Sequence, residues 1–387
     1  MKCKRYALSE LAEIKYGKNQ KKVLSEDGNI PIYGTGGLFG YATTALYDKP
    51  SVLIGRKGTI RKVKYVEHPF WTVDTLFYTI INTDIVIPKY LYYVMSLIDF
   101  NNYDEGTTIP SLRTETLNRL EFDIPSKEEQ EIVLSCLNPI DEKVELNNAI
   151  NNNLEQQIKT ICTAWLSACA PSSDVILEGW SKISLSSIAD FVGGYSYKRT
   201  ELTESNIAMA TIKNFDRKGG FKLDGYKEIV PSNKLKDSQY AELFDTLVAH
   251  TDLTQNAEII GNAELVMNTN GYSDIVFSMD LVKVVPNKKH VSKFLIAAIL
   301  QDKKFKAHCL GYVNGTTVLH LSKKALPEYQ LYLPADLSVL KPLDELVTAL
   351  YQRISANIEE TTKLETLRDT LLPKLMSGEI DVSEIDL

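Results

Sequence analysis

The sequence runs to 387 residues, long enough for two or more domains of ordinary size. Its 44% hydrophobic and 24% charged content is that of a globular chain, and no apolar run approaches the roughly 20 residues of a membrane helix, so no membrane partner is expected. The formal net charge of −7 speaks against a broad nucleic-acid-binding surface, but it is uneven: residues 1–125 are net +2, 126–170 net −4, 171–334 net +1 and 335–387 net −6.

The opening MKCKRYALSELAEIKYG has no apolar core behind its basic start, so no secretory signal is expected. Cys3, Cys136, Cys162, Cys169 and Cys309 show no CxxC spacing and read as free thiols of a reducing cytoplasm. Residues 33–41, YGTGGLFGY, miss the GxGxxG register by one residue and precede a hairpin pattern, so they read as a structural turn. An apolar strand, SVLIG (51–55), leads into IGRKGTIRKVK (54–64), where Arg56, Lys57, Arg61, Lys62 and Lys64 stand without an acid. A further strand, DTLFYTI (74–80), and a short apolar helix, YLYYVMSL (90–97), come next.

EGTTIPSL at 105–112 returns as NGTTVLHL at 314–321. After the first copy, Leu120, Phe122, Ile124 and Pro125 form an alternating strand and a proline; after the second, Tyr329, Leu331, Leu333 and Pro334 do the same. An internal repeat follows, and the upstream segments obey it. ALSELAEIKYG (7–17) aligns with SLSSIADFVGG (184–194), SVLIG with DTLVAH (245–250), DTLFYTI with DLVKVV (280–285), and YLYYVMSL with FLIAAILQ (294–301).

Beyond Pro125, Ser126 and Glu129 form a capping box, which predicts a short helix to about Leu137. Asn138-Pro139 predicts a restart, with asparagine as N-cap and proline at the first helical position. From there Ile140, Val144, Asn147, Asn151, Leu154, Ile158, Ile161 and Trp165 recur at steps of three and four, a heptad seam. At an offset of 210, Leu350, Ile354, Asn357, Thr361, Leu364 and Leu371 repeat it, and only Arg368, opposite Ile158, breaks the match. Asn147, Asn151, Asn357 and Thr361 would form a polar layer that fixes register. The alternative is two amphipathic helices that each pack on their own domain, against which stands the polarity of ELNNAINNNLEQQIK.

The expected architecture is α+β: two heads, each a curved β-sheet plus helices, joined by two long helices in an antiparallel coiled coil with approximate two-fold symmetry. The expected domains are head 1 (1–125), helix 1 (126–170), head 2 (171–334), and helix 2 with the C-terminal tail (335–387). Between shared landmarks the heads diverge, as loop sets reading two different ligands would. In head 2 the matching basic stretch is KNFDRKGGFK, with Lys213, Asn214, Arg217 and Lys218 as candidates. Glycine beside arginine and lysine lets a backbone approach phosphates and base edges closely. Lys198 and Arg199, and the repeated threonines Thr107, Thr108, Thr316 and Thr317, complete the candidate DNA contacts.

No GxSxG, HExxH or [DN]PP[YF] segment is present, and His68, His250, His290, His308 and His320 lack partners at motif spacing. Neither catalysis nor a bound metal is expected, which speaks against a fused methyltransferase-nuclease. A coiled-coil scaffold without DNA binding is the remaining alternative.

Together, IGRKGTI, PFWTVDTLFY, GTTIPSL, the helix EEQEIVLSCLNPIDEKVELNNAINNNLEQQ, HTDLTQNAEIIGN and the ending RDTLLPKLMSGEIDV resemble the DNA-specificity (S) subunit of Type I restriction-modification systems. The resemblance covers essentially the whole chain. It implies that each head reads one half of a bipartite, asymmetric double-stranded DNA site. It also implies that the helix pair sets the spacer and docks two modification (methyltransferase) subunits, with restriction subunits joining the larger complex. S-adenosylmethionine, ATP and Mg would then reside on those partners, with no cofactor on this chain, and the assembly would be cytoplasmic.

Overall fold

The computed structural model describes residues 3–169, 178–217, 219–254 and 256–380. They form two compact units: one takes in the chain up to Val144 and again from Lys363, the other is Glu145–Thr362. The expected boundary at 170/171 lies outside the described residues.

The first unit contains β1 (Lys4–Ala7), α1 (Leu8–Leu11), β2 (Ala12–Tyr16), β3 (Ile30–Gly34), β4 (Gly37–Ala42), β5 (Ser51–Gly55), β6 (Val63–Val66), β7 (Trp71–Thr72), β8 (Leu76–Ile81), α2 (Pro88–Ser96), α3 (Thr114–Asn118) and β9 (Glu121–Ile124). The main sheet has the order β2-β8-β5-β6 and is antiparallel. Its inner strand β5 is buried at every position, which is why SVLIG reads as an unbroken apolar run. The one polar side chain there, Ser51, donates from Oγ to the Thr79 carbonyl at 2.8 Å, while Thr79 Oγ1 accepts the Val52 N–H at 2.9 Å. A second sheet, β4-β3-β7, contains the parallel pair β3–β7, and β1 pairs with β9.

The second unit repeats this plan with β10 (Trp180–Ser184), β11 (Ala189–Gly193), β12 (Ile207–Ala210), β13 (Lys227–Glu228), β14 (Tyr240–Ala241), β15 (Thr246–Ala249), β16 (Thr251–Asp252), β17 (Ala263–Leu265), β18 (Asp274–Phe277), β19 (Leu281–Pro286), β20 (Val313–Asn314), β21 (Leu319–Leu321) and β22 (Gln330–Pro334). The order β11-β19-β15-β17 reproduces β2-β8-β5-β6, the parallel pair β12–β18 reproduces β3–β7, and β10–β22 reproduces β1–β9. Within it lie α5 (Lys293–Leu300), α6 (Lys303–Leu310) and α7 (Ala325–Glu328). The α+β class holds, but the single curved sheet expected for each head is replaced by several small ones. Glycines, prolines and polar turns end every strand within six residues, before the pairings can merge into one sheet.

Two long helices complete the chain: α4 (Lys127–Cys169) and α8 (Lys341–Ser377). The capping box forms, with Ser126 N–H donating to Glu129 Oε2 at 3.1 Å and Glu129 N–H to Ser126 Oγ at 3.3 Å. The restart at Asn138-Pro139 does not occur, because α4 runs through Pro139 without interruption. Proline removes one backbone hydrogen bond, but Leu137 and Ile140 on either side are buried, and that packing sustains the helix. Asn138 is no cap; its Oδ1 is buried without a partner.

In the first unit, Val133, Leu134 and Leu137 of α4 and Leu372 and Leu375 of α8 share a core with Leu8, Phe77, Tyr90 and Phe122. In the second, Ile158 and Cys162 of α4 and Leu343, Val347, Tyr351 and Ile354 of α8 share a core with Leu185, Val248, Leu295 and Phe305. Each head is thus closed by a segment of both helices. The helices also meet each other along the expected seam. Asn147 Nδ2 donates to Glu360 Oε2 at 2.9 Å and to Thr361 Oγ1 at 3.4 Å, and Asn357 Nδ2 donates to Asn151 Oδ1 at 2.8 Å. Partner numbers fall along α8 as they rise along α4, so the pairing in this unit is antiparallel. Asn147 and Asn357, equivalent in the repeat, do not bond to each other; each takes the partner that the repeat makes equivalent, Thr361 and Asn151.

Candidate nucleic-acid interface

In the first unit the chain leaves β5 at Gly55 and runs antiparallel to the Gly-Thr-Thr loop. Leu112 N–H donates to the Arg56 carbonyl at 2.9 Å, Gly58 N–H donates to the Pro110 carbonyl at 2.9 Å, and Lys57 faces Ser111. The loop is held from inside: Asp104 Oδ1 accepts the N–H groups of Gly106 and Ser111, both at 2.8 Å, and these donations keep its carboxyl below the usual range. Gly106 is required, since a Cβ there would stand 1.9 Å from the Ile109 carbonyl oxygen. The result is a tip presenting exposed Lys57, Thr107, Thr108 and Ile109. Arg56 is partly committed: its Nη1 donates to the Asp74 carbonyl at 2.7 Å and its guanidinium lies 5.2 Å from the centroid of the exposed Tyr16 ring.

Arg61 and Lys62 are exposed on the turn that follows. Lys64, on β6, is set apart, its ammonium 4.0 Å from the centroid of the Tyr33 ring, where burial pulls its pKa below the ordinary value. It lines a hollow of about 500 Å³ with Tyr33, Tyr41 and His68.

The second unit builds the same junction from other residues. Leu321 N–H donates to the His250 carbonyl at 2.8 Å, Thr251 pairs with His320, and Asp252 pairs with Leu319. His250, Thr251 and Asp252 therefore stand where Arg56, Lys57 and Gly58 stand in the first unit. Gly315 again has the carbonyl of the residue three further on close by, 2.2 Å from where a Cβ would be, and Thr316 and Thr317 are exposed like Thr107 and Thr108. The chemistry differs. Burial pushes the His250 pKa down to about 4, so the ring is neutral at pH 7, and its Nε2 is buried without a partner. Desolvation opposes ionisation of the buried Asp252, but hydrogen bonds from Ile259 N–H (2.7 Å) and from Thr254 N–H and Oγ1 (both 2.8 Å) outweigh it and hold its pKa down.

The basic stretch that the sequence sets against Arg56–Lys64 stands elsewhere. It follows β12, the counterpart of β3 and not of β5. Lys213 is exposed. Asn214 is fully buried, its Oδ1 accepting the Thr211 N–H and its Nδ2 donating to the Lys222 carbonyl, both at 2.8 Å, so it shapes the turn and is unavailable to a ligand. Arg217 pairs with Glu258 at 3.1 Å and Lys222 with Asp216 at 3.7 Å, which offsets much of the local charge. Lys218 lies outside the described residues. Lys198 and Arg199 are exposed in a turn after β11, where the Lys198 N–H donates to Glu201 at 3.1 Å. The tip at 250–254 escapes a search for basic residues because it contains none; its signal in the sequence is its pairing with the second Gly-Thr-Thr copy.

Arg217 and Gly220 also line a cavity of about 830 Å³ with Glu155 and Lys159 of α4 and Tyr351 of α8. At its wall Glu264 Oε1 accepts the Gly220 N–H at 2.8 Å and Oε2 accepts Gln301 Nε2 at 3.2 Å; burial pushes its pKa up to about 7. The unfolded chain releases that proton near pH 4.3, so between about pH 4.3 and 7 the folded state holds more protons, and stability falls as pH rises through this window. Glu264→Gln keeps an acceptor for Gly220 but has no proton to lose. Urea denaturation at pH 5 and pH 7.5 is expected to show a smaller drop for this variant than for the parent chain.

Residues 2–156 match the family described as Type I restriction modification DNA specificity domain. Over 367 residues the chain is 23% identical to the Type I restriction enzyme MjaIX specificity subunit of Methanocaldococcus jannaschii, covering 88% of this chain and 80% of that one. Over 364 residues it is 22% identical to the Type I restriction enzyme HindI specificity subunit of Haemophilus influenzae, covering 77% and 79%. A crystal structure of a Type-I restriction-modification system S subunit from M. genitalium shares the fold, with a TM-score of 0.54 over 96% of both chains at 17% identity. Residues 2–156 thus carry the match to a Type I specificity domain, and the chain as a whole is similar to Type I restriction enzyme specificity subunits.

Proposed function

We propose that this chain is the DNA-reading, non-catalytic subunit of a Type I restriction-modification complex. Each head reads one half of a bipartite, asymmetric site on double-stranded DNA. The two long helices form one antiparallel coiled coil with approximate two-fold symmetry, which fixes the gap between half-sites and docks two modification subunits. Those partners supply the S-adenosylmethionine chemistry, and restriction subunits bring ATP and Mg. The observation that carries this reading is the pair of tips at Arg56–Gly58 and His250–Asp252: the same backbone hydrogen bonds to the same Gly-Thr-Thr loop, with unlike side chains on top. A shared scaffold with different surface chemistry suits two half-sites of different sequence.

Arg56→Ala with Lys57→Ala tests the reading. In the complex with modification subunits, discrimination should fall in one half-site by about 1–3 kcal/mol per lost base contact, with the other half as stringent as before. If these side chains touch only phosphate, affinity falls evenly across sequences and the salt dependence flattens. Unchanged binding in both halves would contradict the assignment of this tip to DNA.

A further inference from the structure

We infer that Leu253 is the base-reading tip of the second head and that it covers the methyl group of a thymine in its half-site. This inference rests on the proposed function and names a residue within it. Three observations carry it. First, Leu253 directly follows the segment that occupies the place of Arg56–Gly58, beside the exposed Thr316 and Thr317 loop. Second, at 68% exposure it protrudes further than any other large apolar side chain among the described residues. Third, its neighbours are tied together: Asp252, itself buried, accepts the Thr254 N–H and Oγ1–H on one carboxylate oxygen and the Ile259 N–H on the other, which links the residues directly before and after Leu253.

The chemistry of the tip selects the contact. No lysine or arginine stands at 250–254, so this tip has no cation for phosphate, and the one acid there is spent on internal hydrogen bonds. What it presents is a branched apolar group beside the exposed hydroxyls of Thr316 and Thr317. In the major groove the apolar feature of a base edge is the thymine C5-methyl, which aliphatic side chains cover, while hydroxyls accept or donate to neighbouring edges. Head 1 reads with a cationic tip and head 2 with an apolar one.

The test uses the chain assembled with its modification subunits and duplexes carrying its mapped target, in which each thymine of the second head's half-site is replaced in turn by deoxyuridine. The Arg56/Lys57 variant identifies which half belongs to the first head, and the other half is probed. Removing one covered methyl should weaken binding by the parent complex about fourfold at one position. The same replacement should leave Leu253→Ala binding unchanged, and replacements in the other half-site should weigh equally on both proteins. A Leu253→Ala complex that keeps the parent's thymine preference at every position would overturn the inference. So would a second half-site without an A·T pair. Absence of any bipartite target would instead overturn the reading on which it rests.

Discussion

Replacing Asp141 by alanine is expected to destabilise the first unit by about 3 kcal/mol. Its carboxylate, with 13% of the side chain exposed, accepts from Tyr93 Oη at 2.5 Å and from Arg368 Nη1 at 3.2 Å, and stands 3.5 Å from Lys89 Nζ. Removing it leaves the Arg368 guanidinium, which keeps its pair with Asp369 at 2.9 Å, facing the Lys89 ammonium with no carboxylate between them, and the Tyr93 hydroxyl deprived of its acceptor. Tyr93 is on α2, Asp141 on α4 and Arg368 on α8, so one carboxylate ties both long helices to the head. The loss should appear as a lower midpoint in urea denaturation. Asp141→Ala combined with Arg368→Ala should cost less than the two single changes added together, because both remove the same Asp141–Arg368 bond. A loss below about 0.5 kcal/mol for Asp141→Ala would show that the cluster is a solvated surface pair. Arg368 is therefore no flaw in the heptad repeat. The equivalent positions in the second unit are Tyr351 and Ile158, an aromatic and an aliphatic residue of its core; the first unit holds the same place with a charge pair.

Lengthening the helix pair by one heptad should change the DNA target more than any surface substitution. The repeat alone suggests inserting after Asn151 and after Thr361, but Asn151 bonds to Asn357 while Asn147 bonds to Thr361. Opposed points on antiparallel helices are after Asn151 and after Ala356. Seven residues inserted at each add about 10 Å, or about three base pairs. Both half-sites should remain as they are while the gap between them grows by that amount, and methylation at the original gap should be lost. Methylome sequencing reads both quantities at once. Altered half-sites with an unchanged gap would contradict the role of the helices as a ruler.

Features governed by local spacing were legible in the sequence: the Ser126–Glu129 cap, the helix seam from Ile140 to Trp165, and the buried run of β5. Each depends on neighbours within a few positions, where periodicity and capping chemistry act. Features assembled across the chain were not. The tip at His250–Asp252 is defined by pairing with Leu319–Leu321, some 70 positions on, and the loop beyond it is longer than its counterpart after Gly55. Asn214 looked like a ligand contact because it is polar beside lysine and arginine, yet burial commits its amide to the turn. Arg368 bonds the adjacent Asp369 but also reaches Asp141, 227 residues away. Pro139 shows the same limit for secondary structure, since its local tendency to break a helix yields to tertiary packing.

The central claim, that two unlike heads read two halves of one site, is tested most directly by sequencing the methylome of cells carrying this chain with its modification partners. The account predicts one bipartite, asymmetric motif: two different specified blocks separated by a fixed stretch of any sequence. A continuous motif, a palindromic one, or methylation that does not depend on this chain would contradict it.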